Sequence, residues 1–159
     1  MEAPDVIQMR QNKDDRDYVL KEVQRKGKLL EFVADKFHDD DEIVKAALTQ
    51  DGEAMEFVSD RLRDDKDMMM LAIKGAPWTV CYASERLLGD KDIVLTSCKD
   101  WGQALYYASE DLRDDKEVVK AAVTNKGLIF KYASYRLRHD PEIIDIAVNQ
   151  DERVKQFLD

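Results

Sequence analysis

The chain has 159 residues and a mass of 18.4 kDa, and its 44% apolar content can supply the core of one ordinary domain, which excludes a fully disordered chain. Its 34 acidic and 25 basic residues leave a formal net charge of −9, the wrong sign for binding a phosphate backbone, so we expect no nucleic-acid partner. With only two cysteines and no apolar run longer than six residues, we expect no disulfide framework, no membrane partner and a cytoplasmic location.

A repeat of 25 residues divides the chain without insertion or deletion. Glycine-bearing turns at Lys26-Gly27, Asp51-Gly52, Trp101-Gly102 and Lys126-Gly127 lie at multiples of this interval. Residues 1–13 are then a divergent half-repeat or cap, and residues 14–159 are one repeat domain. Its repeats 1 to 6 are 14–38, 39–63, 64–88, 89–113, 114–138 and the truncated 139–159.

Each repeat carries two sets of apolar residues at helical spacing. Positions 5, 6, 9 and 10 make one apolar face, and positions 16, 17, 20 and 24 make another. In repeat 5 these are Val118, Val119, Ala122 and Val123, followed by Ile129, Phe130, Ala133 and Leu137. The pattern predicts two helices of about nine to eleven residues per repeat, and a lone hairpin cannot enclose both faces. We therefore predict an all-α protein, a right-handed α-solenoid of stacked two-helix hairpins.

Position 2 is aspartate in every repeat, directly before the first predicted helix. A carboxylate there accepts hydrogen bonds from the unpaired N–H groups of the first helical turn. Proline after Asp140 fits the first helical position. Calcium binding is the alternative for runs such as 39–42, but the D-x-[DN]-x-[DN]-G spacing with a distal glutamate is missing. We expect helix caps at Asp15, Asp40, Asp65, Asp90, Asp115 and Asp140.

Position 19 is aromatic in every repeat, three residues after position 16 on the second predicted helix. Two interpretations are open: a ladder of rings for ligands, or repeated packing in the core. We expect core packing. The six residues are Phe32, Phe57, Tyr82, Tyr107, Tyr132 and Phe157.

These repeats resemble a known family. Residues 114–138, DDKEVVKAAVTNKGLIFKYASYRLR, and 89–113, GDKDIVLTSCKDWGQALYYASEDLR, are similar to the tandem repeats of the domain-of-unknown-function 4116 family. Shared features are the acidic start, the V-V-x-A-A-V segment, the glycine turn and the L-x-Y-A-S-x-x-L segment. The resemblance implies no assigned activity, cofactor or catalytic residue.

The chain offers little material for a catalytic or metal site. Nucleophilic catalysis needs a hydroxyl or thiol beside a histidine, and the only histidines, His38 and His139, lie about four repeats apart. Cys81 and Cys98 show no C-x-x-C spacing, Cys98 suits a small core position, and Cys81 suits a partly exposed one. No phosphate-binding glycine motif is present. We therefore expect no enzyme activity, no cofactor and no metal.

Specificity is expected where the repeats differ, chiefly at positions 7, 11 to 13, 15, 18 and 22. Repeats 1 and 2 place charged residues at the turn and the second helix, whereas repeats 3 to 5 place apolar and aromatic ones there. Filling of gaps in the packing is the alternative for these residues. The candidate partner surface is Trp78, Cys81, Trp101, Tyr106, Leu128 and Tyr135.

Trp78 and Trp101 are the predicted anchors of this surface. Position 15 of one repeat and position 13 of the next should lie at the same edge of a stack, so we expect the two indoles to be close together. We expect a non-catalytic protein-interaction or assembly scaffold with a protein partner. The alternatives are a regulatory or targeting module of a larger, possibly enzymatic polypeptide and, less favoured, a nucleic-acid-binding helical repeat.

Overall fold

The computed structural model of the chain describes residues 3–158, and these residues form tandem helical repeats without any strand. The chain divides between Tyr82 and Ala83 into two compact parts, here called the N-terminal part and the C-terminal part. Within the described range, no helix is both long and apolar enough to span a bilayer.

One long helix opens each repeat. Each of the six has ten residues, and a shorter helix, Pro4–Gln11, precedes them. The predicted caps are confirmed, because each position-2 aspartate accepts at least one hydrogen bond from the first-turn backbone; Asp115, for example, accepts from the N–H groups of Glu117 and Val118 at 2.9 and 3.1 Å. The long helices are Arg16–Arg25, Asp41–Gln50, Lys66–Gly75, Lys91–Asp100, Lys116–Asn125 and Pro141–Gln150.

The prediction of a second helix of nine to eleven residues is wrong. After the long helix, the chain forms one short helix of six residues or fewer and then, in repeats 1 to 5, a second short helix. The first segments are Gly27–Phe32, Gly52–Phe57, Pro77–Tyr82, Gly127–Tyr132 and Glu152–Phe157, all 3-10 helices, and the α-helical Ala104–Tyr107. The second are Asp35–Asp39, a 3-10 helix, and the α-helical Asp60–Arg63, Glu85–Leu88, Glu110–Arg113 and Tyr135–Arg138.

A serine at position 21 caps the second short helix in repeats 2 to 5, whereas repeat 1 has Ala34 there and breaks without a side-chain cap. Ser134 has extended backbone, with ψ of 160°, and its hydroxyl accepts a hydrogen bond from the Leu137 N–H at 3.2 Å. Serine in this role starts a new helix and does not continue the preceding one. Ser59, Ser84 and Ser109 cap their short helices in the same way.

The core follows the predicted apolar positions. In repeat 5, Val118, Val119, Ala122 and Val123 are fully buried, and Ile129, Phe130, Ala133 and Leu137 are buried as well. The interpretation of position 19 as core is wrong. Phe32, Phe57, Tyr82 and Tyr132 are only half-buried, and Tyr107 and Phe157 are exposed. The break between the two short helices accounts for this, because positions 16 and 17 of the first short helix already point into the core.

Glycine at position 14 brings the backbones of neighbouring repeats together. A Cβ atom on Gly127 would lie 2.5 Å from the carbonyl oxygen of Ala147, and one on Gly102 would lie 2.5 Å from that of Ala122. Gly52 has the same relation to Ala72 in the N-terminal part, at 2.3 Å. Only a residue without a side chain fits such a contact. Adjacent repeats within each part therefore pack backbone against backbone at this turn.

Candidate protein-interaction surface

Four aromatic rings form a continuous group in the C-terminal part. Trp101 stacks on Tyr107, with ring centroids 5.9 Å apart and planes inclined by 23°. Tyr106 meets Tyr107 edge to face at 5.0 Å and meets Tyr132 edge to face at 4.9 Å. These are the preferred offset-stacked and T-shaped geometries of aromatic pairs. We call Trp101, Tyr106, Tyr107 and Tyr132 the aromatic cluster.

Two neighbouring repeats position these rings. Trp101 lies on the turn after the long helix of repeat 4, and Tyr106 and Tyr107 end the short helix that follows. Tyr132 ends the 3-10 helix of repeat 5. The Asn125 side chain fixes the turn, because its Oδ1 accepts from the Gly102 N–H at 2.8 Å and its Nδ2 donates to the carbonyl oxygen of Lys99 at 3.2 Å. Hydrogen bonds between Asn125 and the main chain therefore hold the turn on which Trp101 lies.

The cluster lines a shallow pocket of about 250 Å³, together with Gln103 and Ile129. Tyr106 is 52% exposed and Tyr107 is 37% exposed, whereas Trp101 and Tyr132 are half-buried. None of the six lining residues carries a formal charge. Pockets that enclose a small molecule usually measure about 300–1,000 Å³, so this one suits contact with part of a larger surface.

The polar groups of the pocket have no partners within residues 3–158. No hydrogen bond is formed by the Trp101 indole N–H, by the hydroxyls of Tyr106, Tyr107 and Tyr132, or by the Gln103 amide. Tyr106 and Tyr107 are exposed and Trp101 and Tyr132 are half-buried, so these rings reach the surface and their polar groups can donate to a ligand. Here five such groups remain available at one pocket.

Trp78, the other predicted anchor, lies beside charged groups in the N-terminal part. Hydrogen bonds from the Lys28 ammonium and from the Trp78 side chain lower the pKa of Glu53. The Trp78 ring also packs edge to face on Tyr82 at 5.9 Å, and the Arg63 guanidinium lies 5.3 Å from the Tyr82 ring centroid. This arrangement resembles surface packing more than an open binding site.

The other predicted surface residues lie outside the aromatic cluster. Leu128 is half-buried and does not line the pocket, although its neighbour Ile129 does. Tyr135 is 72% exposed and packs on His139, with ring centroids 4.2 Å apart. Cys81 is half-buried in the N-terminal part, as expected of a partly exposed residue. Trp78 and Trp101 belong to different parts, so their proximity stays a prediction.

Sequence reasoning missed three residues of the pocket. Tyr107 and Tyr132 were assigned to the core with the rest of position 19, and Gln103 was not singled out. A signal was present, because position 19 is tyrosine in repeats 3 to 5 and phenylalanine elsewhere. A phenol buried in an apolar core would need a hydrogen-bond partner, so tyrosine favours a position that reaches solvent.

The histidines lie near main-chain carbonyl groups, and the cysteines are buried or half-buried. The His38 Nε2 lies 2.9 Å from the carbonyl oxygen of Leu30, and the His139 Nδ1 lies 2.7 Å from that of Tyr135. Cys98 is fully buried, as expected, and burial raises the pKa of its thiol to about 12. Burial also raises the pKa of Cys81. Across residues 3–158, no three His, Cys, Asp or Glu side chains form a group that could hold a metal ion.

Comparisons with known proteins identify the repeats. The family model described as "Domain of unknown function (DUF4116)" matches five overlapping segments, 15–63, 40–88, 65–113, 90–138 and 115–154. The comparisons with curated proteins and with solved structures gave no significant match. The matched segments together cover nearly the whole chain and agree with the resemblance in the repeat sequences. The chain therefore belongs to the DUF4116 family of tandem helical repeats.

Proposed function

We propose that this chain is a non-catalytic, cytoplasmic protein-interaction or assembly scaffold whose contact surface centres on the aromatic cluster. In this proposal the hairpins stack as a right-handed α-solenoid with a period of 25 residues. The observation that carries it is the exposed group of four rings with five unpartnered polar groups at one pocket. Tyrosine and tryptophan are enriched among the residues that dominate interface energies.

The rigidity of the surroundings supports recognition by a preformed surface. The turn that carries Trp101 is held against repeat 5 by Asn125 and by the close contact of Gly102 with Ala122. Side chains on an ordered backbone lose less conformational freedom on binding than side chains on a mobile loop. The cluster therefore suits a contact that needs little rearrangement of this protein.

Affinity capture from the source cells, with purified protein variants as bait, tests the proposal. Trp101→Ala should weaken binding of a captured partner by about 2 kcal/mol or more, as expected for a central anchor. Tyr106→Ala should weaken it as well. Trp78→Ala is the matched tryptophan control and should retain the partner, and circular dichroism should show that all three variants fold.

Two results would contradict the proposal. One is that the Trp101→Ala and Tyr106→Ala variants both fold and both capture every partner of the wild type with unchanged affinity. The other is loss of capture with Trp78→Ala alone, which would move the contact surface to the N-terminal part.

A further inference from the structure

We propose that the aromatic cluster binds a proline-rich segment of its partner in the polyproline II conformation. This inference rests on the proposed protein-interaction function and specifies the chemistry of the partner. Three properties of the pocket carry it: its hydrogen-bond donors, its continuous aromatic lining and its lack of charge.

The pocket supplies hydrogen-bond donors to a ligand that is rich in acceptors. The Trp101 indole offers only an N–H, and the three tyrosine hydroxyls and the Gln103 amide can also donate. None of these groups is used within the described part of the chain. A run of prolines presents carbonyl oxygens and has no backbone N–H of its own. Donors on the protein and acceptors on the ligand therefore match.

The aromatic lining suits a polyproline II helix. Tyr107 and Tyr132 both meet Tyr106 edge to face, at centroid distances of 5.0 and 4.9 Å, so the three rings form one continuous aromatic surface. The proline rings of a polyproline II helix can pack against such a surface. Aromatic-lined grooves recognise such preformed helices at low entropic cost.

The charge distribution favours a neutral segment. The six lining residues are uncharged, so a charged ligand group placed in the pocket would lose water without gaining a counterion there. Charged groups lie beside this pocket rather than in its lining: the Lys131 Nζ lies 5.0 Å from the Tyr132 ring centroid, and Glu110 and Arg113 line a neighbouring pocket that shares Tyr132. Proline carries no charge and offers a large apolar contact area, so it suits this uncharged pocket.

Fluorescence of Trp101 provides a direct test. The chain has two tryptophans, so Trp78→Phe leaves Trp101 as the only one. In this background, titration with a ten-residue proline peptide should give a saturable change in tryptophan emission. Tyr106→Ala should weaken the affinity at least about tenfold, and Tyr135→Ala, which removes an exposed tyrosine outside the cluster, should leave it unchanged.

Three comparison ligands decide whether proline is what the pocket recognises. They are a ten-residue alanine-glycine peptide, a neutral amphipathic helical peptide and a neutral hexasaccharide. The proposal is supported if only the proline peptide saturates. It is overturned if the proline peptide produces no saturable change, or if any comparison ligand binds as tightly, a result that would assign the pocket to apolar helices or to glycans.

Competition during affinity capture separates this inference from the function on which it rests. If a partner is lost with Tyr106→Ala and is also displaced by the proline peptide, both hold. If the partner depends on Tyr106 but the proline peptide does not displace it, the surface binds protein by other chemistry and the proline-rich inference is wrong. If no captured protein depends on Tyr106, the proposed function itself fails.

Discussion

Lys116 of repeat 5 places its Nζ 2.8 Å from Oδ2 of Asp140, the residue that caps the long helix of repeat 6. The same ammonium lies 2.9 Å from the Glu142 carboxylate. Lys91 has the equivalent relation to Asp115, at 2.9 Å. One aspartate side chain therefore caps its own helix and pairs with the preceding repeat, a second role that the position-2 pattern did not reveal.

Asp115→Ala should lower the free energy of unfolding by about 0.5–2 kcal/mol, because the long helix of repeat 5 loses its cap. Urea denaturation followed by circular dichroism measures this. Asp145→Ala is the matched control, since that exposed carboxylate lies within a long helix and has no partner in the described structure. Equal stabilities of the two variants would show that the cap contributes nothing.

Stability should fall in acid through the capping carboxylates. Partial burial opposes ionisation of Asp115, but hydrogen bonds from Lys91 and from the backbone of Val118 and Glu117 hold its pKa below the ordinary value of 3.8. Its contribution is therefore fully present above pH 3.8 and is lost as the pH falls through the lower pKa of the folded state.

Asp115→Asn tests this sign. Asparagine still caps a helix but cannot pair with Lys91 as a charge. The stability difference between wild type and Asp115→Asn should be largest near neutral pH and should narrow in urea titrations below pH 3.8. A difference that grows as the solution becomes more acidic would contradict the proposed charge pairing.

Two glycines of the N-terminal part should respond oppositely to alanine. Gly52→Ala places a Cβ 2.3 Å from the Ala72 carbonyl oxygen and should destabilise by about 1–3 kcal/mol through overpacking. Gly75→Ala meets nothing closer than 3.6 Å, at the Gly52 nitrogen, and lies at the end of a helix, so its stability should be unchanged or increased by up to about 1 kcal/mol. Thermal unfolding of both variants checks the contrast, and equal melting temperatures would refute the backbone contact.

Removal of residues 139–159 should destabilise repeat 5. The long helix Pro141–Gln150 packs against the helices Lys116–Asn125 and Gly127–Tyr132, and the Gln150 Oε1 accepts from the Gly127 N–H at 2.5 Å. Truncation would expose apolar side chains of repeat 5 and should cause aggregation or a lower melting temperature, measurable by light scattering and calorimetry.

The control for the truncation is Gln150→Ala in the full chain, which keeps the apolar cover and loses the two side-chain hydrogen bonds of Gln150, from the Gly127 N–H and to the Asn125 carbonyl oxygen. Its effect should be smaller than that of the truncation. A truncated chain that stays monomeric and melts at the wild-type temperature would show that repeat 6 does not act as a cover.

The helix caps and the buried positions were predictable from the sequence. The outcome where two such local signals conflict was not predictable. Each capping aspartate stands directly before an apolar face, so its role follows from neighbouring residues alone. The spacing of positions 16, 17, 20 and 24 also fits one continuous helix, yet Ser134 begins a new one. Periodicity records which residues are buried but does not show that a serine hydroxyl will replace a backbone acceptor.

The aromatic site was predicted in part. The variable positions pointed to Trp101 and Tyr106, and these do line one pocket. Their partners Tyr107 and Tyr132 were assigned to the core because position 19 is aromatic in every repeat. A recurring ring fits either side of a short helical segment, and the orientation depends on the break at position 21, which the apolar pattern does not record.

Because of the glycine contacts, the spacing of adjacent repeats does not depend on which side chains lie next to the glycines. At Gly102 and Gly127 the approach is limited by main-chain atoms, which do not change with sequence. The next position holds glutamine and leucine in these two repeats, and lysine and glutamate after Gly27 and Gly52. Surface residues at this edge can therefore diversify without altering how neighbouring repeats meet, so a new binding specificity could evolve one residue at a time on an unchanged frame.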